Sequence, residues 1–296
     1  MYVYEGRLGM RIVKILGAAL AAAMLCACAS GSPGEKIDVG LLGWGSAETD
    51  LEVAESSVIF SGDSADIKGE GAEFSGGVLT VTSGGSYRLS GELKGSIVVD
   101  IPKNEEAELI FSGLSIESEG SAIHVKCADK VTFTLEKDTV NSVMDGEDYC
   151  ADDDAEPSAC IYSADDITFE GEGQLFVYAK CRNGIQTKND LRIKGAIITV
   201  SAPKNALKGK DSVQISGGNV IVTGAKDGIK SDNETEDGRG VVTITGGNID
   251  IYCQDDGIQA FSKIEISSAT VKINSGDKSL NCDGEISVAD GCLVEE

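Results

Sequence analysis

The sequence predicts an all-β protein, a right-handed parallel β-helix solenoid with about 22 residues and three short strands in each coil. The first observation is a repeat: Ile185, Leu207 and Ile229 follow one another at steps of 22 residues, a period typical of solenoids. The second is alternation of β-branched residues without long runs at helical spacing, which excludes a helical solenoid. The third is glycine-containing turns such as Lys194-Gly195 and Ser216-Gly217-Gly218, which supply the positive φ that corners require. Right-handed winding is the general preference of parallel crossovers.

The N-terminus has the pattern of a bacterial lipoprotein signal. Arg11 and Lys14 precede a short apolar run that ends in Leu25-Cys26-Ala27-Cys28, and this ending resembles a lipobox with Cys28 as the lipidated residue. We expect residues 1–27 to be a signal peptide and residues 28–50, rich in Ser and Gly near their start, to be a flexible tether. The expected location is the extracellular face of the cell envelope, with the lipid anchor as the only contact with the membrane.

Residues 51–296 are predicted to form the β-helix domain. Residues 51–118 are interpreted as irregular first coils and a cap, and residues 119–296 as regular coils. Two insertions interrupt the regular part, the acidic stretch Asp232–Gly238 and a longer one between Ile123 and Ile161. Insertions in solenoids form loops on one face, often the binding face.

Charge and cysteine content narrow the possible partners. The chain has 25 basic and 49 acidic residues and a formal charge of −24, a surface that repels nucleic acid. The Cys150–Cys160 and Cys282–Cys292 pairs are candidate disulfides in an exported protein. A structural zinc site is not expected, because the sequence has no Cys-x-x-Cys pair and a single histidine.

Asp and Asn recur just before the repeated aliphatic residue. In stacked strands such residues lie about 4.8 Å apart, and carboxylates at that distance repel unless a cation lies between them. Carboxylate and amide oxygens suit Ca²⁺, which accepts six to eight of them in flexible geometry. The alternative is that these residues only satisfy turn hydrogen bonds. The predicted calcium ligands are Asn183, Asn205, Asp227, Asp232, Asn233, Asp237, Asp255 and Asp256.

A second repeated position, directly after the aliphatic residue, holds long polar side chains. These are Gln186, Lys208, Lys230 and Gln259. A row of donors with two ammonium groups matches a linear anionic polymer such as a uronate glycan, so these four are the predicted carbohydrate-binding residues. Ordinary solvated surface lysines are the alternative.

Several motifs together carry a family resemblance. They are Tyr87-Arg88-Leu89-Ser90-Gly91, Ala122-Ile123-His124-Val125, Asp165-Asp166-Ile167-Thr168-Phe169, Asn183-Gly184-Ile185, Asp227-Gly228-Ile229-Lys230-Ser231 and Asp255-Asp256-Gly257-Ile258-Gln259-Ala260. The sequence resembles the bacterial carbohydrate-binding-domain family of exported, often lipid-anchored proteins. The resemblance implies a right-handed parallel β-helix with calcium, affinity for plant cell-wall or acidic polysaccharide, and an architecture related to pectate lyases.

The predicted function is therefore non-catalytic binding of an acidic, pectin-like polysaccharide with calcium, and no catalytic residue is assigned. A calcium-dependent polysaccharide lyase is the first alternative, with Lys208 or Lys230 as the base. The acidic surroundings, which keep a lysine charged, count against it. A structural surface stalk or adhesin is the second alternative.

Overall fold

The computed structural model describes residues 56–147, 149 and 156–295. The predicted signal peptide, the tether and Cys28 lie outside these residues. The described part is all-β, and none of it forms a helix long and apolar enough to cross a membrane. The strands are β1 Ser56–Gly62, β2 Ser64–Lys68, β3 Ala72–Ser75, β4 Val78–Val81, β5 Gly85–Lys94, β6 Ser96–Asp100, β7 Glu106–Glu117, β8 Ile123–Cys127, β9 Lys130–Leu135, β10 Val140–Met144, β11 Ala159–Ser163, β12 Asp166–Gly171, β13 Gln174–Tyr178, β14 Asn183–Thr187, β15 Asp190–Ser201, β16 Asn205–Gly209, β17 Ser212–Gly224, β18 Asp227–Ser231, β19 Val241–Tyr252, β20 Ile258–Ala260, β21 Lys263–Ile266, β22 Thr270–Asn274, β23 Leu280–Cys282, β24 Glu285–Val288 and β25 Leu293–Glu295.

The strands form two sheets. The second sheet has ten strands, in the order β23-β20-β18-β16-β14-β11-β8-β6-β4-β3. Its strands pair in parallel except for β3, which is antiparallel to β4. Ile185 pairs with Leu207 and Leu207 with Ile229, so the 22-residue step of the sequence is the offset between neighbouring strands here.

The predicted fold class, a right-handed parallel β-helix solenoid with three short strands in each coil, is wrong. In the first sheet, which has 15 strands, six parallel strands pair in a ring in the order β7-β10-β13-β15-β12-β9 and back to β7. The protein is therefore a closed six-stranded parallel barrel with extra strands and a second sheet.

The β-helix prediction is wrong because glycines that were expected to end a strand only bend it. The glycine at Lys194-Gly195 predicts a corner, but β15 continues through this point with a β-bulge, and Gly195 has a φ of 99°. A bulge inserts an extra residue and bends the strand without ending it. One half of β15 then pairs with β12 and the other with β13, and β7 pairs with β9 and β10 in the same way. Two long bent strands thus close the ring.

The core follows from the period-2 pattern of the strands. In β9 the inward residues Val131, Phe133 and Leu135 are fully buried, and the residues between them are partly exposed. Phe133 lies between Phe111 on β7 and Phe169 on β12, with ring centroids 5.7 and 4.7 Å away. The barrel interior is therefore filled by packed aromatic and aliphatic side chains.

Neither candidate disulfide forms. Cys160, Cys282 and Cys292 are free thiols, so the Cys150–Cys160 and Cys282–Cys292 pairs are both wrong. Cys181 is the disulfide-bonded cysteine among the described residues.

Asp145, which follows β10, is a fully buried carboxyl. One oxygen accepts a hydrogen bond from the backbone N–H of Lys180 at 2.5 Å, and the other accepts one from the Tyr149 hydroxyl. Burial nevertheless raises the pKa of Asp145 to about 6, because loss of solvent disfavours the charged form more than these bonds favour it.

We expect the free energy of unfolding to fall as the pH rises from about 4 to about 6. The unfolded Asp145 carboxyl has its ordinary pKa of 3.8, so in this interval the folded state keeps a proton that the unfolded state has lost. The Asp145→Asn variant should lack this fall in the free energy of unfolding, because it has no carboxyl group to titrate at this position. Because the single amide oxygen of Asn cannot replace both hydrogen bonds that the carboxylate accepts, the variant should be only about 1–2 kcal/mol more stable than the wild type at neutral pH. Urea unfolding at several pH values tests this, and an unchanged pH dependence in the variant would contradict it.

Candidate functional site

The predicted carbohydrate-binding residues lie in one row on the outer face of the second sheet. Gln186 pairs with Lys208, Lys208 with Lys230, and Lys230 with Gln259. Because each residue is on a neighbouring strand, the four side chains are about 4.8 Å apart along the row. The lysine side chains are only 20% and 22% exposed. The structure therefore brings together all four residues, which we call the polar row.

The polar row continues beyond the predicted residues at both ends. Asn281 follows Gln259, and Tyr162 and then His124 precede Gln186. The His124 and Tyr162 rings meet edge to face with centroids 5.4 Å apart. Burial and the positive charge of Lys126 lower the pKa of His124, so this imidazole is neutral at physiological pH.

Each lysine of the polar row has a carboxylate beside it. Lys208 Nζ lies 2.7 Å from Asp232 Oδ2, and Lys230 Nζ lies 3.7 Å from Asp227 Oδ2. Gln186 Oε1 accepts hydrogen bonds from Ser158 Oγ at 3.0 Å and from Asn183 Nδ2 at 2.5 Å. These contacts hold the side chains of the polar row in place, and the ammonium group of each lysine already lies beside a carboxylate.

A shallow depression with a volume of about 180 Å³ opens beside the C-terminal end of the row. Phe261, which is 37% exposed, lines it together with Lys230, Gln259 and Asn281. An aromatic face next to hydrogen-bonding side chains suits a sugar ring, which has an apolar face and a polar edge. Phe261 and Asn281 were not among the binding residues predicted from the sequence. The 22-residue spacing from Gln259 was a signal for Asn281.

Four of the predicted calcium ligands form a ladder next to the polar row. The backbone N–H and Nδ2 of Asn205 donate to Asn183 Oδ1 at 3.0 and 2.6 Å, and the backbone N–H of Asp256 donates to Asp227 Oδ1 at 3.4 Å. Two buried oxygens of this ladder, Asn205 Oδ1 and Asp256 Oδ1, have no hydrogen-bond partner. A buried oxygen without a partner carries a desolvation cost that a bound cation would remove.

The best candidate metal site includes Asp256, the residue that carries one of these two oxygens. Ligand atoms from Asp255, Asp256 and Asp277 lie within 4.8 Å of one another. Asp256 is 5% exposed, its Oδ2 accepts a hydrogen bond from Asn281 Nδ2 at 2.6 Å, and its Oδ1 is the oxygen without a partner. Asp255 also lies 3.2 Å from Lys226 Nζ. We call these three residues the aspartate triad, and Asn281 joins it to the polar row.

Asp277 was missed by the sequence analysis, although it follows Asp255 by one 22-residue step. The predicted ligands on the insertion loop have other contacts. Asn233 is 1% exposed, its Oδ1 accepts from the backbone N–H and hydroxyl of Thr235, and its Nδ2 donates to Asp211. Asn233 therefore closes a local turn, Asp232 pairs with Lys208, and Asp237 is exposed. Calcium ligation by these residues and by the ladder stays a prediction.

Two other surface features lie away from the polar row. A groove of about 1170 Å³ is lined by glycines and charged residues near the turns that follow β5 and β7. On the outer face of the first sheet, the planes of the Phe176 and Tyr178 rings are nearly parallel, with an angle of 5° between them, and Tyr178 and Tyr252 are 43% and 58% exposed. We place the candidate site at the polar row because cations, an aromatic ring and a carboxylate with one unpartnered oxygen converge there.

Comparison with known proteins agrees with a carbohydrate-binding role. The carbohydrate-binding domain-containing protein family matches residues 75–293 of this chain. A carbohydrate-binding domain-containing protein from Acetivibrio thermocellus is 41% identical over 152 residues, which are 50% of this chain and 53% of that protein. The match therefore spans about half the length of this relative.

A solved structure is also similar, that of the polysaccharide lyase-like protein from C. thermocellum as a gadolinium derivative. It matches with a TM-score of 0.79 and 40% identity, over 82% of this chain and 100% of that chain. The family match covers well over half of the present sequence. The chain belongs to the family of carbohydrate-binding domain-containing proteins.

Proposed function

We propose that this protein binds an acidic, uronate-rich polysaccharide without cleaving it, and that Ca²⁺ assists the binding. The observation that carries the proposal is the polar row, with Lys208 and Lys230 on neighbouring strands between two glutamines. A polymer that lies along the row meets a hydrogen-bond donor at each strand, at intervals of about 4.8 Å. Ammonium groups bind carboxylates through charge-assisted hydrogen bonds, which are stronger than neutral ones.

Calcium has two roles in this proposal. The chain has a formal charge of −24, so an acidic polymer is repelled unless cations neutralise part of the surface. The aspartate triad offers oxygen ligands of the kind that Ca²⁺ prefers, and one of its members, Asp256, has a buried oxygen without a partner. The similar structure is a gadolinium derivative, and Gd³⁺ is likewise a hard ion that prefers oxygen ligands. Because Asn281 is hydrogen-bonded to Asp256, an ion bound at the triad would lie close to the end of the row.

The cellular location is part of the proposal. The ending Leu25-Cys26-Ala27-Cys28 supports lipidation at Cys28. The binding domain would then lie on the extracellular face of the envelope, where polysaccharide is accessible. Mass spectrometry of the detergent-extracted protein tests this through the mass of the acylated N-terminal peptide.

Removing both row cations should reduce affinity for polygalacturonate. We expect Lys208→Met/Lys230→Met to bind about tenfold or more weakly in calcium, because two charge-assisted contacts are lost. Lys194→Met/Lys272→Met, which removes two exposed lysines of the first sheet, controls for the loss of two positive charges. Isothermal titration calorimetry measures both. Equal affinities of the double variant and the wild type would show that the polar row is not part of the binding site.

Incubation with polygalacturonate in calcium, followed by ultraviolet absorbance, separates binding from the alternative functions. A Ca²⁺-dependent lyase would produce unsaturated sugars, detected by their ultraviolet absorbance, and the name of the lyase-like relative makes this assay necessary. Each candidate base is an ion-paired lysine, which favours anion binding over proton abstraction. Binding to a neutral glycan instead would assign function to Tyr178 and Tyr252. No binding to either polymer would support a structural stalk.

A further inference from the structure

The two lysines of the polar row differ in how their charges are compensated. Lys208 has a tight ion pair of 2.7 Å with Asp232, whereas Lys230 and Asp227 are 3.7 Å apart. We infer that Asp232 determines ligand specificity: its carboxylate occupies the anion position of Lys208, and a ligand carboxylate binds there only by displacing it. This inference rests on the proposed function.

The two carboxylates come from different parts of the fold. Asp227 opens β18 in the regular repeat, has a side chain only 5% exposed, and also accepts a hydrogen bond from the backbone N–H of Asp256. Asp232 is the first residue of the acidic insertion, directly after β18, and its side chain is 36% exposed. Asp227 is therefore a fixed part of the ladder, whereas a ligand can reach Asp232.

The loop that carries Asp232 is anchored at its base. The next residue, Asn233, is 1% exposed, its backbone N–H donates to the carbonyl of Lys210 at 2.9 Å, and its side chain donates to Asp211 at 2.6 Å. This anchor holds Asp232 beside Lys208, so the carboxylate acts as a tethered competitor with a high effective concentration.

The competitor makes the site selective. A neutral glycan gains nothing from Lys208, because it has no charge with which to displace Asp232. A free uronate that displaces it leaves two carboxylates close together, which is unfavourable. A polymer with closely spaced carboxylates, such as a polyuronate, can displace Asp232, so Asp232 lowers the affinity for weakly charged glycans more than for this polymer.

Calorimetric titration with oligogalacturonate at one fixed calcium concentration tests the role of Asp232. We expect Asp232→Asn to bind about fivefold more tightly than the wild type, the order of effect of losing a partly exposed ion pair. Asp250→Asn is the matched control, because Asp250 is an exposed acid on the outer face of the first sheet and its loss changes the net charge equally. The gain should disappear when Lys208→Met is added to Asp232→Asn.

The outcomes separate this inference from the proposed function. If the wild type binds and Asp232→Asn binds no more tightly than Asp250→Asn, the inference is wrong and the proposed function stands. A gain that persists without Lys208 also overturns it, since the effect then comes from general charge. If neither the wild type nor any variant binds, the proposed function fails and the inference fails with it.

Discussion

Asp256→Asn is expected to weaken Ca²⁺ binding by about tenfold or more, because the substitution removes one of three carboxylates and a formal charge at the aspartate triad. Asp256 is the member with a buried oxygen that has no partner, so the bound ion contacts this residue in the proposed site. Calorimetric titration with Ca²⁺, and separately with Tb³⁺ as a hard-ion probe, measures the affinity. The affinity for oligogalacturonate should fall in parallel.

Asp283→Asn is the matched control for Asp256→Asn. Asp283 is an exposed acid that lines the neighbouring depression, so its substitution changes the charge equally without removing a triad ligand. Thermal unfolding without calcium checks that both variants fold. Equal calcium affinities for Asp256→Asn and the wild type would show that the ion binds elsewhere, and the ladder residues Asn205 and Asp227 would be tested next.

The 22-residue repeat in the sequence was sufficient to predict which strands pair, but not that six strands close into a ring. Ile185, Leu207 and Ile229 pair on adjacent strands because a constant spacing in the sequence becomes a constant offset in a parallel sheet. The same spacing placed the four residues of the polar row correctly side by side. A glycine with positive φ, however, is needed both at a corner that ends a strand and at a bulge that only bends it. The sequence around Gly195 does not distinguish a corner from a bulge, and the closed ring depends on the bulge.

The site residues that belong to the 22-residue repeat could be predicted from the sequence, whereas the contacts of the insertion loop could not. Asp277 and Asn281 each lie one 22-residue step after a residue that the sequence analysis had selected, so the signal for both was present. The pairing of Asp232 with Lys208 was not predictable, since a loop outside the repeat has no register. Residue type also failed for Asn233, because an amide suits a turn as well as it suits a calcium ion.

Phe133→Ala should have the largest effect on stability among the substitutions considered. The fully buried ring lies inside the closed six-stranded ring, between Phe111 and Phe169. Its removal costs the transfer free energy of the side chain and leaves a cavity between two aromatic neighbours. We expect the free energy of unfolding to fall by about 3–5 kcal/mol, as measured by urea unfolding. Phe176→Ala, on the outer face of β13, is the control and should cost much less.

A second substitution at Phe133 tests whether the barrel interior is as rigid as the closed ring requires. Phe133→Leu keeps most of the apolar volume but loses the stacked contact with Phe169, whose ring is inclined by only 12°. Because the surrounding strands β7, β9 and β12 are hydrogen-bonded to one another, they cannot move together to fill the gap. We therefore expect a loss of about 1–2 kcal/mol for this variant. Equal losses for the two variants would show that the contact between the aromatic rings, and not the cavity, dominates the stability of the barrel.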